Sequence, residues 1–258
     1  MTKKNLYSVE KLISVYYWKY NKKLLSIKIG TKNYKFIFGQ FSKIGLKKMN
    51  SIIFRAYSIV SFFDIKRYIE FYISIKLNGK FSIKIVKIYY LNNIYLYSIS
   101  LGIFFIKFFI NGSDIFLIST GTGISAFLSI LNDKIYKNFY KNIFLLNSVK
   151  NKKEISYIRK IKKLIFFLNY LRFTANIKLL VLLTRNKQIK NKKRRITNII
   201  IKRKIEKIMN KNLSNNYSRI MICGNPKMIL NSKEIFKRFY FFNKKNNFFK
   251  NIVSENYW

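Results

Sequence analysis

Residues Ile115–Leu131 read IFLISTGTGISAFLSIL. The apolar run ends at Ser119, Gly121-Thr122-Gly123 follow, and Ile124, Phe127, Leu128 and Leu131 then recur at helical spacing. A strand, a tight glycine turn and a helix start form the arrangement that cradles a phosphate. The glycines let the backbone turn sharply and come close to a pyrophosphate, and the helix N-terminus offers unpaired N–H groups and the positive end of a dipole. Gly121 and Gly123 are therefore candidate dinucleotide contacts. The same residues also suit an ordinary strand-to-helix turn, because Gly tolerates the dihedrals such a turn needs.

Outward from this stretch, the composition narrows the chemistry. The chain has 258 residues, half of them hydrophobic, which suits one large or two ordinary domains. Lys and Arg number 52 against 9 Asp and Glu, a formal charge of +43. Such a charge ordinarily points to nucleic acid or an anionic surface. Here it is spread along the chain together with abundant Asn, Ile, Phe and Tyr, residues that share A/T-rich codons with Lys. Much of the charge is therefore read as compositional drift, and no nucleic-acid partner is expected.

There is no His, which removes Ser-His-Asp and Cys-His catalysis and His-based zinc or haem sites. The single Cys223 rules out internal disulfides and an iron–sulfur cluster held by this chain alone. No metal site is expected. The N-terminus, MTKKNLYSVEKLISVYYWKY, makes a poor signal peptide. Residues 94–112 are mostly apolar, but Lys107 interrupts them, and their Ser, Gly and β-branched residues suit buried strands. The expectation is a cytoplasmic monomer with no integral membrane span.

The periodicity changes near residue 110. Residues 7–110 read mostly as strands: Lys22–Ile29, Tyr34–Phe38, Ile52–Ile59 and Ile69–Ile75, with Asn78-Gly79 as a hairpin turn into a strand over Phe81–Tyr89. Short strands with turns between them suggest an antiparallel barrel. Beyond residue 110, strands and helices alternate. Strands at Ile115–Ile118, Ile143–Leu146, Ile177–Leu183 and Ile220–Cys223 are each followed by a helix, near Ile124–Tyr136, Glu154–Leu168, Ile196–Met209 and Pro226–Phe239. This is a parallel α/β pattern. Two domains follow, an antiparallel β-barrel over 1–110 and an α/β parallel-sheet domain over 111–258. The tract Lys187–Arg195, KQIKNKKRR, reads as a solvated loop.

Three further motifs carry chemistry. Arg55-Ala56-Tyr57-Ser58, downstream of Phe38-Gly39-Gln40-Phe41, has the residue types a flavin needs. Arg offers a rigid fork for a pyrophosphate, Tyr a ring to stack, and Ser a hydroxyl for a ring nitrogen. An exposed Arg beside a packed Tyr is the plainer alternative. Cys223-Gly224-Asn225-Pro226 holds the only Cys and the only Pro of the chain, directly after an apolar strand. Pro at a first helical position is pre-organised, and strand ends are where α/β sheets present ligand sites. The terminal Ser254-Glu255-Asn256-Tyr257-Trp258 places two aromatics where they either anchor on the core or stack on a bound ring.

As a set, FGQF, RAYS, GTGISAFLSIL, CGNPKM and a terminal ENYW resemble the bacterial ferredoxin–NADP(+) reductase family, in order and spacing, from about Phe36 to Trp258. The resemblance implies an FAD-binding antiparallel barrel followed by an NADP-binding α/β domain with its C-terminal aromatic tail on the flavin. It implies FAD contacts from Arg55, Ala56, Tyr57, Ser58, Tyr72, Ile73, Ser74, Lys80, Phe81, Ser82, Thr122, Tyr257 and Trp258. On the NADP side it implies Val149, Lys150, Thr184, Arg185, Arg195, Cys223, Gly224 and Asn225, beside Gly121 and Gly123. Ser58, Cys223, Glu255 and Tyr257 stand where the family keeps groups around the reacting rings. The implied activity is hydride transfer between NADP(H) and FAD, then single-electron exchange with ferredoxin or flavodoxin. A flavin reductase with another acceptor, or a degenerate copy, is the alternative. A basic nucleic-acid binder is a distant one.

The residues themselves favour NADP over NAD. An acid closing the second strand of a dinucleotide fold would bind the ribose 2′-hydroxyl. That strand ends here in Asn147-Ser148-Val149-Lys150, without one, and Lys150, Arg185 and Arg195 can neutralise a 2′-phosphate. Two departures from the family bear on affinity. Lys150 replaces a common Arg and lacks its bidentate geometry, and Ser125-Ala126 replaces a Pro after the glycine turn.

Overall fold

Strands β2 (Leu24–Gly30) and β5 (Tyr68–Ser74) are buried on both faces, and this fixes how the molecule is layered. A strand side chain alternates between faces. Leu25, Ile27, Ile29, Ile69, Phe71 and Ile73 fill the core of the first sheet. Leu24 and Tyr72, on the opposite face, join a second core shared with the α/β half of the chain. The computed structural model describes residues 6–18, 23–32, 34–61, 67–76, 79–87, 93–104, 112–133, 139–155, 157–170, 175–185, 195–240 and 251–256.

The first sheet also contains β1 (Tyr7–Tyr17), β3 (Phe41–Lys48), β4 (Ser51–Ser58) and β6 (Asn93–Tyr97), in the order β4-β3-β6-β1-β2-β5. Its pairings are antiparallel. The expected barrel takes the form of an open, barrel-like sheet. Its edges approach where Ile59, just past β4, bridges Phe71 of β5, without a continuous ladder.

Helix α1 (Lys80–Lys87) corrects the hairpin expected at Asn78-Gly79. Asn78 itself lies outside the described residues. The string FSIKIV fits a two-residue alternation, yet burial selects the four-residue spacing. Phe81 and Ile85 are buried one turn apart, and Ile83 between them is exposed. The run Tyr34–Phe38 is likewise irregular rather than a strand. Tyr34 and Phe36 pack on the first core, the Tyr34 hydroxyl donates to Ser42 Oγ at 2.8 Å, and Gly39 turns the chain at φ +94°.

The second sheet is parallel, in the order β11-β10-β7-β8-β9, from β7 (Asp114–Thr120), β8 (Asn142–Val149), β9 (Asn176–Leu183), β10 (Ser218–Gly224) and β11 (Ile252–Asn256). Ile115 and Leu117 of β7 face α2 (Ile124–Ile130), α3 (Ile158–Tyr170) and the first sheet. Phe116 and Ile118 face the layer made by α4 (Ile196–Ile201), α5 (Lys204–Met209) and α6 (Pro226–Phe239). The helix expected over Ile196–Met209 is thus two helices. Arg203 adopts φ 50°, a left-handed conformation that a continuing helix cannot use. The helix expected from Glu154 begins at Ile158, after a short turn over Lys152–Glu154 and a left-handed Tyr157.

Strand β7 is laid down first, β8 and β9 extend to one side, and the chain returns to place β10 on the other. The order therefore reverses between β7 and β10. That switch point opens a crevice at the carboxyl ends of these strands, where α/β sheets bind ligands.

Candidate functional site

Both sides of the switch point depend on glycine. A Cβ on Gly123 would stand 2.6 Å from the carbonyl oxygen of Cys223, so the glycine turn and the β10 end touch backbone to backbone. Gly121 has φ +55° and open space where its side chain would be. Gly224 has φ +131°, and a Cβ there would collide with Thr120. The Asn225 N–H donates to Thr120 Oγ1 at 2.9 Å, and the Asn225 side chain accepts from the N–H groups of Lys227 and Met228, capping α6 ahead of Pro226. The turn without proline is fastened otherwise. Ser125 Oγ donates to the Thr122 carbonyl at 2.6 Å, and Ser129 Oγ accepts from the Gly39 N–H at 2.8 Å across the two halves of the chain.

In front of this turn, between the two sheets, lies a largely apolar cavity of about 470 Å³. Arg55, Ala56, Tyr57 and Ser58 form one wall, Tyr72 and Ser74 another, and Phe81 with Gly79 a third. Thr122 and Glu255 close it from the α/β side, with Asn256 beside them. The cavity thus gathers the motifs spread from residue 55 to residue 256. Ile73, between Tyr72 and Ser74, packs in the first core and is not among the residues that line the cavity. The side chains of Lys80 and Ser82, and the whole of Tyr57's expected companions Tyr257 and Trp258, lie outside the described residues.

Burial governs its titratable groups. Burial pushes the Tyr57 hydroxyl up to about 12, with Arg55 opposing, and the ring lies 5.9 Å from Phe81. Burial likewise raises the Glu255 carboxyl to about 7, while the N–H groups of Ile103 and Phe104 hold it back. The Ile103 N–H donates to Glu255 Oε1 at 2.7 Å. Ser58 Oγ and Glu255 Oε2 are buried with no hydrogen-bond partner among the described residues. An unpaired buried polar atom is costly, so two in one cavity mark places where a bound group would complete the bonding.

Cys223 is fully buried and pairs in register with Ser119 on one side and Glu255 on the other. The lower crevice collects a second cluster. Thr184 N–H donates to the Val149 carbonyl at 2.9 Å, and Arg185 N–H to the Lys150 carbonyl at 2.7 Å. These four residues therefore stand together at the ends of β8 and β9. Arg195 sits at the N-cap of α4. Residues 186–194 lie outside the described residues.

Two features escaped the sequence reading. Glu154 Oε2 accepts from the Lys150 N–H at 2.9 Å, so an acid does reach the end of the second strand, from one turn further on. Gly102 has φ +120°, and a Cβ there would lie 2.8 Å from Glu255 Oε1. This glycine and the Ile103 amide form the seat of the carboxyl. The only signal was a glycine inside the apolar run 94–112, where it passed for a loose strand residue. Among the described residues no helix is long and apolar enough to cross a membrane, and no group of three His, Cys, Asp or Glu is placed to hold a metal.

Comparison with known proteins agrees with this geometry. Residues 117–234 match the family model described as an oxidoreductase NAD-binding domain. A flavodoxin/ferredoxin–NADP reductase of Buchnera aphidicola subsp. Baizongia pistaciae is 29% identical over 263 residues, covering 98% of this chain and 100% of the relative. A ferredoxin–NADP reductase of Azotobacter vinelandii is 29% identical over 237 residues, covering 90% of each. Among solved structures, a ferredoxin NADP+ reductase from Neisseria gonorrhoeae with bound FAD and NADP superposes with a TM-score of 0.84 at 24% identity, over 98% of this chain and 99% of that one.

Proposed function

We propose that the chain is a member of the bacterial ferredoxin/flavodoxin–NADP(+) reductase family, a reading supported by the matched NAD-binding model and by relatives 29% identical over 90% and 98% of the chain, and that it is an FAD-dependent oxidoreductase passing electrons between NADP(H) and ferredoxin or flavodoxin. The observation that carries the reading is the occurrence of two buried polar atoms with no hydrogen-bond partner among the described residues, Ser58 Oγ and Glu255 Oε2, in one cavity walled by Tyr57, Tyr72 and Phe81. A flat apolar ring with polar edges suits such a cavity, and its size and aromatic walls fit the isoalloxazine of FAD.

FAD, when bound, supplies the chemistry: it exchanges a hydride with nicotinamide and single electrons with the protein partner. The protein binds and orients. The Arg55 guanidinium and the first turn of α1, over Lys80, Phe81 and Ser82, stand where they can meet a pyrophosphate, the helix through its unpaired N–H groups. Tyr57 offers a ring face, and Ser58 its hydroxyl to a ring nitrogen. Tyr72, Ser74 and Thr122 complete the contact set, with Ile73 contributing backbone alone. Glu255, raised to about 7, holds a proton near neutrality close to the reacting rings, and Cys223 supports it from the adjacent strand. We assign the tail Tyr257-Trp258 to the flavin, supported by Asn256 on the cavity wall.

NADP(H) is proposed to lie across the switch point. Gly121, Gly123, Gly224 and Asn225 would border the pyrophosphate and nicotinamide, and Val149, Lys150, Thr184, Arg185 and Arg195 the 2′-phosphate. We assign residues 1–110 to the FAD domain and 111–258 to the NADP domain. The last strand of the first sheet ends at Tyr97 and the first of the second begins at Asp114, in keeping with that division. A cytoplasmic monomer completes the reading, with Cys223 a buried thiol in no disulfide, as a reducing compartment allows.

The test is to load the chain with FAD and titrate it with NADPH and NADH. Flavin reduction at much lower NADPH than NADH, and stimulation of cytochrome c reduction by ferredoxin or flavodoxin, are expected. Equal response to both nucleotides would overturn the assignment of the 2′-phosphate residues, and no effect of either carrier the assignment of the partners.

A further inference from the structure

Behind the cavity runs a line of oxidisable rings for which the proposed electron transfer has no use. Tyr72 lines the cavity and is buried. Its ring meets Tyr157 edge-on at 4.8 Å between centroids. Tyr157, also buried, lies 4.6 Å from Trp18. Trp18 in turn meets Tyr16 edge-on at 5.3 Å, and Tyr16 is 54% exposed. Trp18 and Tyr72 also approach directly, at 6.0 Å. The four rings form an unbroken path from the cavity wall, through the interface of the two sheets, to solvent.

A proton path accompanies it. Trp18 Nε1–H donates to Ser26 Oγ at 3.3 Å, Ser26 Oγ and the Tyr157 hydroxyl share a short hydrogen bond, and the Tyr157 hydroxyl donates to Glu70 Oε1 at 2.9 Å. Burial and the adjacent Glu70 hold the Tyr157 phenol well above its ordinary value, so in the resting protein it stays protonated. Removal of an electron from the ring makes the same proton strongly acidic, and Glu70 is in place to take it. A hydrogen-bonded lock between the sheets accounts for the polar atoms of Tyr157. It does not account for the continuation through Trp18 to an exposed tyrosine.

We propose that Tyr72, Tyr157, Trp18 and Tyr16 form a one-electron relay that carries oxidising equivalents from the flavin cavity to the surface. This rests on the flavin reading above. The oxidant is an oxidised flavin in the cavity excited by blue light. It takes one electron from Tyr72 and is itself reduced by one electron. Tyr72 is refilled from Tyr157, whose hydroxyl proton moves to Glu70 Oε1. Tyr157 is refilled from Trp18 and recovers its proton, and Trp18 is refilled from Tyr16, whose phenolic proton leaves to water. A soluble one-electron reductant of the ascorbate class then returns an electron and a proton to Tyr16. The net change is one electron from that reductant to the flavin and one proton from it to water, with every ring restored.

The experiment is flash photolysis of the FAD-loaded full chain, wild type beside Trp18→Phe and Tyr16→Phe, with steady-state NADPH oxidation measured in parallel. In the wild type a tyrosyl absorption persists and ascorbate removes it. Trp18→Phe shortens the life of the charge-separated state severalfold, because the hole stays beside the flavin. Tyr16→Phe, an exposed change that leaves the fold intact, replaces the tyrosyl band with an indole radical band. NADPH oxidation is unchanged in both. Identical decays and spectra in all three proteins would overturn the relay alone. A wild-type chain that retains no FAD would overturn the flavin reading and the relay with it.

Discussion

Cys223 and Glu255 are register partners on adjacent parallel strands, so both face the first sheet from the same side of the second. Parallel pairing puts partner residues on one face. The carboxyl shares the cavity with Ser58, which the first sheet supplies from nearly 200 residues earlier in the chain, while the thiol packs in the core behind it. The reacting centre of the proposed reductase is a product of sheet-on-sheet docking.

Glu255→Gln should flatten a pH dependence. Burial raises the carboxyl from 4.5 to about 7, so the folded chain binds this proton more tightly than the unfolded one. The protonated group favours the fold at low pH, and that contribution fades as pH rises from about 4.5 through about 7. At about 1.4 kcal/mol per pH unit the effect is worth about 3 kcal/mol at most. Denaturant melts from pH 4 to pH 8 should show wild-type stability falling across that window and the Gln variant losing the slope. Turnover should drop by about 10²-fold, the scale of one acid–base group.

Gly102→Ala should damage the same carboxyl from behind. A side chain at φ +120° is strained, and its Cβ would lie 2.8 Å from Glu255 Oε1. A loss of about 1–3 kcal/mol in urea unfolding is expected. The inflection near pH 7 should move, since Glu255 loses its seat.

Gly123→Ala should separate the two lips of the crevice, because its Cβ would stand 2.6 Å from the Cys223 carbonyl oxygen. The carbonyl belongs to the backbone of β10, so it does not yield cheaply. NADPH affinity, read by quenching of the flavin signal, should weaken by about tenfold or more, which is about 1.4 kcal/mol. FAD affinity should change far less.

Lys150→Arg should strengthen selection for the 2′-phosphate, since a guanidinium binds a phosphate through two bonds where an ammonium acts as a point charge. The ratio of NADPH to NADH affinity should rise severalfold. Glu154→Gln keeps the hydrogen bond to the Lys150 amide and removes the negative charge from that strand end. It should move the ratio in the same direction.

Four strands of the second sheet were legible because they are continuous apolar runs, as strands buried on both faces must be, with glycine after β7 and at the end of β10; β11, Ile252–Asn256, is short and polar and was not read as a strand. Gly121, Gly123 and Gly224 each do something in space that a glycine at a strand end suggests. The first sheet was harder. Phe81–Val86 alternates like a strand, and only the docking of Phe81 and Ile85 into the sheet selects the helix. The run 34–38 is as apolar as a strand, yet Gly39 and the Tyr34–Ser42 bond hold it as a turn. Within the site, residues at motif positions were readable in type, while Gly102, Ile103 and Glu154 act through backbone geometry that leaves no pattern. Tyr157 was invisible for the same reason, since its partners Ser26 and Glu70 are far away in sequence.

In the proposed reductase one cavity for FAD joins one crevice for NADP(H). The most direct measurement is the visible spectrum of the purified full chain, mixed with FAD and desalted, before and after anaerobic addition of NADPH. A retained flavin spectrum near one FAD per chain that NADPH bleaches is expected. A colourless protein after desalting, or a bound flavin that NADPH leaves oxidised, would contradict it.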